Sequence, residues 1–245
     1  MSLRLHWSPD SANLVVRITL EALDLPFEGV RINRGKGEHK RPGYLALNPQ
    51  GLIPVLQDGD LVLFETGAIL WHVAERAGRL GLADSAIGGP TADGPSMDDP
   101  AARAAALRWL FYLSNTVHAD LRVTFYADRY SDDVDSLRRG TARRLHDHCD
   151  LMERVVTDSG GLVGPGVTVP DFYLAVCLRW ALLYPTGAPL LNGLARWPSL
   201  HALCARVEAL DAAQRAFSAE MIPADRALTA PRPPALPQEE ITGVV

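Results

Sequence analysis

At 245 residues the chain has room for one large domain or two small ones. Hydrophobic residues make up 47%, ample for a core, and 22% are charged, ordinary for a water-soluble protein. A net charge of −5 argues against a nucleic-acid binder, and three scattered cysteines without a CxxC argue against a disulfide framework or a zinc site.

The amino terminus, MSLRLHWSPD, carries no apolar signal core, so the chain is expected in the cytoplasm. Leu3 to Trp7 alternates and reads as a first strand. Ser8 to Ser11 is a turn into a helix whose Leu14, Ile18 and Ala22 share one face. Leu25-Pro26-Phe27 ends that helix, and Glu28 to Ile32 reads as a second, parallel strand in a right-handed crossover. Asn33 to Gly43, with Arg34, Lys36, His39, Lys40 and Arg41, is by default a solvated basic loop.

The stretch Asn48 to Glu75 is the most informative. Ile53 to Leu56 is strand-like but contains Pro54, which has no N–H to give a central ladder. A cis Ile53-Pro54 bond where the strand begins accounts for it. Asp58-Gly59 signals a hairpin turn, and Leu61 to Phe64 is the return strand. Glu65-Thr66-Gly67 then leads into the helical run Ile69, Val73, Ala77. This predicts a βαβ-ββα domain. A bent strand end leaves the backbone of Ile53 to a peptide-like ligand. A helix starting at Thr66 offers free N–H groups and a positive dipole end to a carboxylate, and Glu65 beside it suits an ammonium. Glutathione has that shape.

NPQG-LIPVL (Asn48 to Leu56) followed by ETGAIL (Glu65 to Leu70) resembles the glutathione-binding half of the cytosolic glutathione transferases, bacterial type included. The likeness runs over roughly residues 3 to 210. It implies an α/β plus all-α architecture: a thioredoxin-like N-terminal domain over 1–80, a linker over 81–100, an all-helical domain over 101–222 and a Pro-rich tail over 223–245. It also implies glutathione as co-substrate with no metal, a small electrophile as second substrate, a homodimer, and neither nucleic acid nor membrane as partner. The activity implied is stabilisation of the glutathione thiolate for attack on a small apolar electrophile. A non-catalytic binding or assembly module, and a glutathione-dependent isomerase, dehalogenase or peroxidase, are the alternatives.

The resemblance also names residues. Ile53, Pro54, Glu65 and Thr66 would hold glutathione, with Lys40 or His39 on its glycine carboxylate. The thiol's partner should lie in Ser8 to Asn13. Ala12 stands where bacterial members with a catalytic cysteine carry it, so this chain cannot use one there. Ser11 resembles the serine of other classes; Asn13 is a second donor and Ser8 a third. Read as structure alone, Ser11 is a plain helix cap. His118, on the helix Arg108 to His118, matches a histidine position of the bacterial members, and otherwise reads as an interior polar residue. One of Phe111 and Tyr112, with Tyr126, would wall the co-substrate pocket; otherwise Phe111 and Tyr112 serve the core or a dimer interface.

Gly78 to Pro100 reads as a linker, and helical patterns follow over Ala101 to about Tyr126 and Ser136 to about Thr157. Thr168-Val-Pro-Asp171 has the form of a capping box that opens a helix apolar nearly all round to Tyr184. Arg179 and the short length keep that segment from spanning a bilayer. Trp197 to Leu210 and a piece ending near Met221 complete the helices. The tail, with Pro231, Pro233, Pro234 and Pro237, is expected to be extended or disordered. His146 and His148, two apart on a helix, diverge and make a poor metal pair.

Overall fold

The computed structural model describes residues 2–82 and 95–236. Most of the expected linker, and the tail from Pro237, lie outside these residues. The first half is a four-stranded sheet of order β2-β1-β3-β4, built from β1 (Leu3–Trp7), β2 (Phe27–Arg31), β3 (Val55–Asp58) and β4 (Leu61–Phe64). β1 pairs parallel with β2 and antiparallel with β3, and β3 and β4 form the hairpin. Alternation of apolar residues sets the register: Leu3, Leu5 and Leu56 are buried, with Leu5 opposite Leu56. Helices α1 (Asn13–Ala22) and α3 (Thr66–Ala77) pack together through Leu14, Ile18, Ile69 and Val73. A smaller apolar cluster gathers Ile32 and Val55 under Tyr44 of the short helix α2 (Pro42–Leu45). This is the thioredoxin-like βαβ-ββα arrangement, and Ile53-Pro54 is cis.

The second half is helical. A two-residue strand β5 (Gly81–Leu82) precedes α4 (Pro100–Tyr112). A π-helical turn over Leu113–Val117 joins α4 directly to α5 (His118–Phe125). Then come α6 (Val134–Ser159), β6 (Val167–Thr168), α7 (Val169–Leu183), α8 (Pro198–Glu208) and α9 (Asp211–Ala219). Every residue of α7 from Val169 to Ala181 is buried. Its start carries the capping box: the Thr168 N–H donates to the Asp171 carboxylate at 2.8 Å, and the Leu162 N–H donates to the other oxygen. Among the described residues no helix is long and apolar enough to cross a membrane.

The tail departs from expectation. Residues 223–236 form no helix, but they are neither detached nor featureless: Ala227 and Leu228 are fully buried. The Glu208 carboxylate accepts from the Leu228 and Thr229 N–H groups, and the Arg179 guanidinium donates to the carbonyls of Ala227 and Arg232. Prolines forbid a helix but not a packed, irregular path whose polar groups find such partners.

The halves are joined by buried charge. Asp10 and Arg179 are both inaccessible to solvent and meet side by side, Nε and Nη2 each 2.9 Å from one carboxylate oxygen. Trp180 Nε1 and the Tyr184 hydroxyl donate to the same carboxylate. Glu220, past α9, accepts from the Asp10 N–H, the Asn13 amide and Arg17 Nε. Removing Glu220's carboxylate strands three buried donors, one of them charged. Glu220→Ala is expected to lower unfolding free energy by roughly 3–5 kcal/mol. Urea denaturation measures it, and Glu220→Gln, which keeps an acceptor, should lose less.

Candidate functional site

A cleft of about 660 Å³ opens between the halves. The N-terminal half contributes the turn Asp10–Ala12, Arg34, His39, Lys40, the loop around Ile53-Pro54, and Glu65-Thr66. The helical half contributes Ser114, His118 and Arg122, then Phe125, Tyr126 and Arg129, with Tyr173, Trp180 and Tyr184 from the α7 side. A wider, more open depression of about 1040 Å³ runs along α6 past Asp120 and Arg196, and it gathers none of the predicted site residues.

The floor is shaped by backbone. Ile53 lies two residues before β3 begins, outside both of that strand's ladders. The preceding loop is pinned: the Tyr44 hydroxyl and the Asn48 amide both donate to the Leu52 carbonyl, at 2.8 and 2.9 Å. Gly51 sits at φ +63°, and a side chain there would begin 2.7 Å from the His39 carbonyl, so only glycine fits. Lys40 Nζ donates to the Gln50 and Gly51 carbonyls. His39 lies on a short 3-10 turn, Glu38–Lys40, and its Nδ1 is buried without a hydrogen-bond partner among the described residues. Burial, with Lys40 and Arg34 nearby, holds its pKa below the usual histidine value.

Glu65 caps α3 at φ +73°, a positive-φ conformation rare for a residue with a side chain. No side chain caps this helix start, which leaves its first N–H groups without a side-chain acceptor, and Glu65 and buried Thr66 line the cleft. Across the cleft the Tyr173 phenol oxygen is 2.7 Å from His118 Nδ1. Burial first, and then Arg122, push the His118 pKa down to about 4. His118 is therefore a neutral imidazole at physiological pH, wedged beside the Trp180 ring.

The remaining predicted residues divide. Ser11 reaches the cleft, and its hydroxyl donates to the Asn13 side-chain oxygen. Asn13 is fully buried behind it: that oxygen also accepts from the Ser8 N–H, and the amide nitrogen serves Glu220. Asn13 thus does not present a donor to the cleft, and neither Asn13 nor Ser8 is among its lining residues. Phe111 and Tyr112 also miss it. Phe111 is 61% exposed on α4, and the Tyr112 hydroxyl is tied to His148, which leans on Asp120. In an uninterrupted α-helix, Phe111 and His118, seven residues apart, would share a face. The π turn between them adds a residue to the turn and breaks that phase. Tyr126 does line the cleft.

Sequence reasoning passed over Arg122, Arg129, Tyr173, Trp180 and Tyr184, and left Arg34 in a solvated loop. Arg122 was findable, since it follows His118 by one helical turn. Tyr173 and Tyr184 carried no signal beyond an apolar helix. Among the described residues no cluster of three or more His, Cys, Asp or Glu could hold a metal.

Residues 1–75 match the family model described as the N-terminal domain of glutathione S-transferase. A glutathione S-transferase of Silene vulgaris is 45% identical over 75 residues, which is 30% of this chain and 35% of that protein. The match thus spans about a third of that relative. Glutathione S-transferase F9 of Arabidopsis thaliana is 29% identical over 159 residues, 63% of this chain and 69% of its own. GstB of Escherichia coli K12 is 35% identical over 104 residues, 42% of this chain and 44% of GstB. Among solved structures, a glutathione transferase homologue from Sulfitobacter, with bound glutathione, superposes with TM-score 0.72 at 23% identity, covering 90% of this chain and 99% of that one. A Xylella fastidiosa glutathione S-transferase gives TM-score 0.72 at 24% identity, covering 89% and 98%. These two likenesses concern the fold.

A buried neutral histidine has a pH signature. Folding depresses the His118 pKa from 6.5 to about 4. Its contribution is therefore whole above pH 6.5 and is lost as pH falls through that window toward 4. Melting temperature should fall less steeply between pH 7 and pH 4.5 in His118→Gln than in the wild type. Parallel curves would show that His118 is not the titrating group.

Proposed function

We propose that this chain, a protein of the glutathione transferase family, binds glutathione in the cleft and stabilises its thiolate for attack on an electrophile. The observation that carries the reading is the convergence of Ile53, Glu65, Thr66, Lys40 and His39 on one cleft that Ser11 also lines. The backbone of Ile53 would pair with the amide of the cysteinyl residue. The free N–H groups at Thr66 suit the α-carboxylate of the γ-glutamyl end, and Glu65 suits its ammonium. Lys40 and the unpartnered His39 Nδ1 suit the glycine carboxylate.

The chemistry asked of the site is modest. A free thiol of pKa about 8.5 is mostly protonated at neutral pH. Lowering it by two units requires about 2.7 kcal/mol of preference for the thiolate. A charge-assisted hydrogen bond from the Ser11 hydroxyl supplies a contribution of that order. The thiol proton leaves to solvent. Sulfur then forms a bond to the electrophilic carbon, and the leaving group departs with its bonding pair. Neutral His118 and Tyr173 wall the sulfur side without adding charge.

A second reading has an observation of its own. Ser11 already donates to Asn13, and Ala12 offers no thiol. A binding module without catalysis would need neither residue free. A homodimer belongs to the first reading, and exposed Phe111 supports a partner surface on α4; light scattering should give twice the chain mass of 26.6 kDa.

Glutathione-agarose tests the binding half: the folded protein should be retained and eluted by free glutathione. Ser11→Ala should then be retained as well, but with the pKa of the bound thiol, read from thiolate absorbance against pH, raised by about 1–2 units and conjugation slowed accordingly. Retention with no conjugation in either protein favours the binding module.

A further inference from the structure

We propose that the co-substrate half of the cleft selects an electrophile with an aromatic body and an acidic group. This deepens the glutathione reading and rests on it for the position of the sulfur. Once the residues assigned to glutathione are set aside, the rest of the cleft has two characters. Phe125, Tyr126 and Tyr184 form an aromatic wall, with the Phe125 and Tyr184 rings edge to face at 5.8 Å. Around that wall stand three guanidinium groups, Arg34, Arg122 and Arg129.

Tyr126 gathers two of them. Arg34 Nη2 is 3.4 Å from its hydroxyl, and the Arg129 guanidinium lies over its ring at 4.4 Å. Arg122 projects from α5 one turn past His118 and is close enough to bear on its charge. Among the described residues none of the three has a carboxylate within ion-pairing distance. The acidic groups lining the cleft do not balance them. Asp10 is consumed by Arg179, Glu65 lies at the far end beside Gln50, and Asp128 alone is left on the helical side. Three unpaired, partly hydrated guanidinium groups at the edge of an aromatic slot are a receptor for a planar carboxylate.

The test uses a matched pair, 4-chloro-3-nitrobenzoate and 4-chloro-3-nitrobenzamide, which differ only in the charged group. In conjugation, the glutathione sulfur bonds to the ring carbon bearing chlorine. The C–Cl bond breaks, chloride leaves with the bonding pair, and the thiol proton passes to solvent. Binding of each compound is first followed by ligand-detected NMR, with unreactive S-methylglutathione present. Rates with glutathione follow, each corrected for its uncatalysed reaction.

The wild type should prefer the benzoate. In Arg34→Gln/Arg122→Gln/Arg129→Gln the benzoate-to-benzamide ratio, in binding and in kcat/KM, should fall about tenfold, the sum of three exposed ion pairs. Added salt should erode the wild-type preference. Equal binding of the pair, an unchanged ratio in the variant, or loss of benzoate binding when S-methylglutathione is added overturns the proposal. The last outcome would place the arginines on glutathione itself. Failure on glutathione-agarose with the benzoate preference intact removes the glutathione reading and leaves the anion site standing.

Discussion

The cleft exists because the turn ahead of α1 is held by the other half of the molecule. Asp10, at φ +50°, aims its carboxylate away from its own domain into the side of α7. There it accepts from Arg179, Trp180 and Tyr184, while Glu220 takes its N–H. A buried ion pair of this kind adds little net stability over an apolar core, because desolvation offsets most of the attraction. What it adds is uniqueness. Few other placements of the two halves satisfy Asp10, Arg179 and Glu220 at once, and any that fails leaves a charge stranded. Ser11, one residue from Asp10, inherits its position from that constraint.

The same network explains how charge is sorted. Acceptors are buried in the joint, where Asp10 and Glu220 are surrounded by donors. Burial pushes the Glu220 carboxyl up and Arg17 pulls it back. The open cleft keeps its cations at the rim and neutral rings at its back. His118 and Tyr173 are hydrogen-bonded to each other and too desolvated to ionise. The helical side brings one carboxylate among the described residues to the cleft lining, that of Asp128. The tail takes part by covering Arg179 with the carbonyls of Ala227 and Arg232, which satisfies the guanidinium donors that Asp10 does not reach.

Several features were legible in residue order alone because their causes are local. Proline without an N–H where a strand begins, Asp-Gly between two apolar runs and Thr-x-x-Asp ahead of an apolar helix each constrain their own few residues. The pieces they imply were found at Ile53-Pro54, in the β3–β4 turn and at Thr168. The two-half architecture followed from the change in period from strand alternation to long helical runs. The tail shows the limit of such reasoning: its prolines announced what it could not be, while its burial depended on Glu208 and Arg179, distant in sequence.

Residue order by itself determined which segments are strands and helices, where their backbones are left open, and that Ala12 cannot supply a thiol. Only the tertiary structure decided which side chains share the cleft. Asn13 turned to Glu220, the π turn shifted Phe111 out of phase with His118, and docking of α7 brought Tyr173 and Tyr184 in. The reason is geometric. Propensity and periodicity act over a turn or two of chain, whereas the facing of a side chain is set by the rotation and register with which whole elements pack.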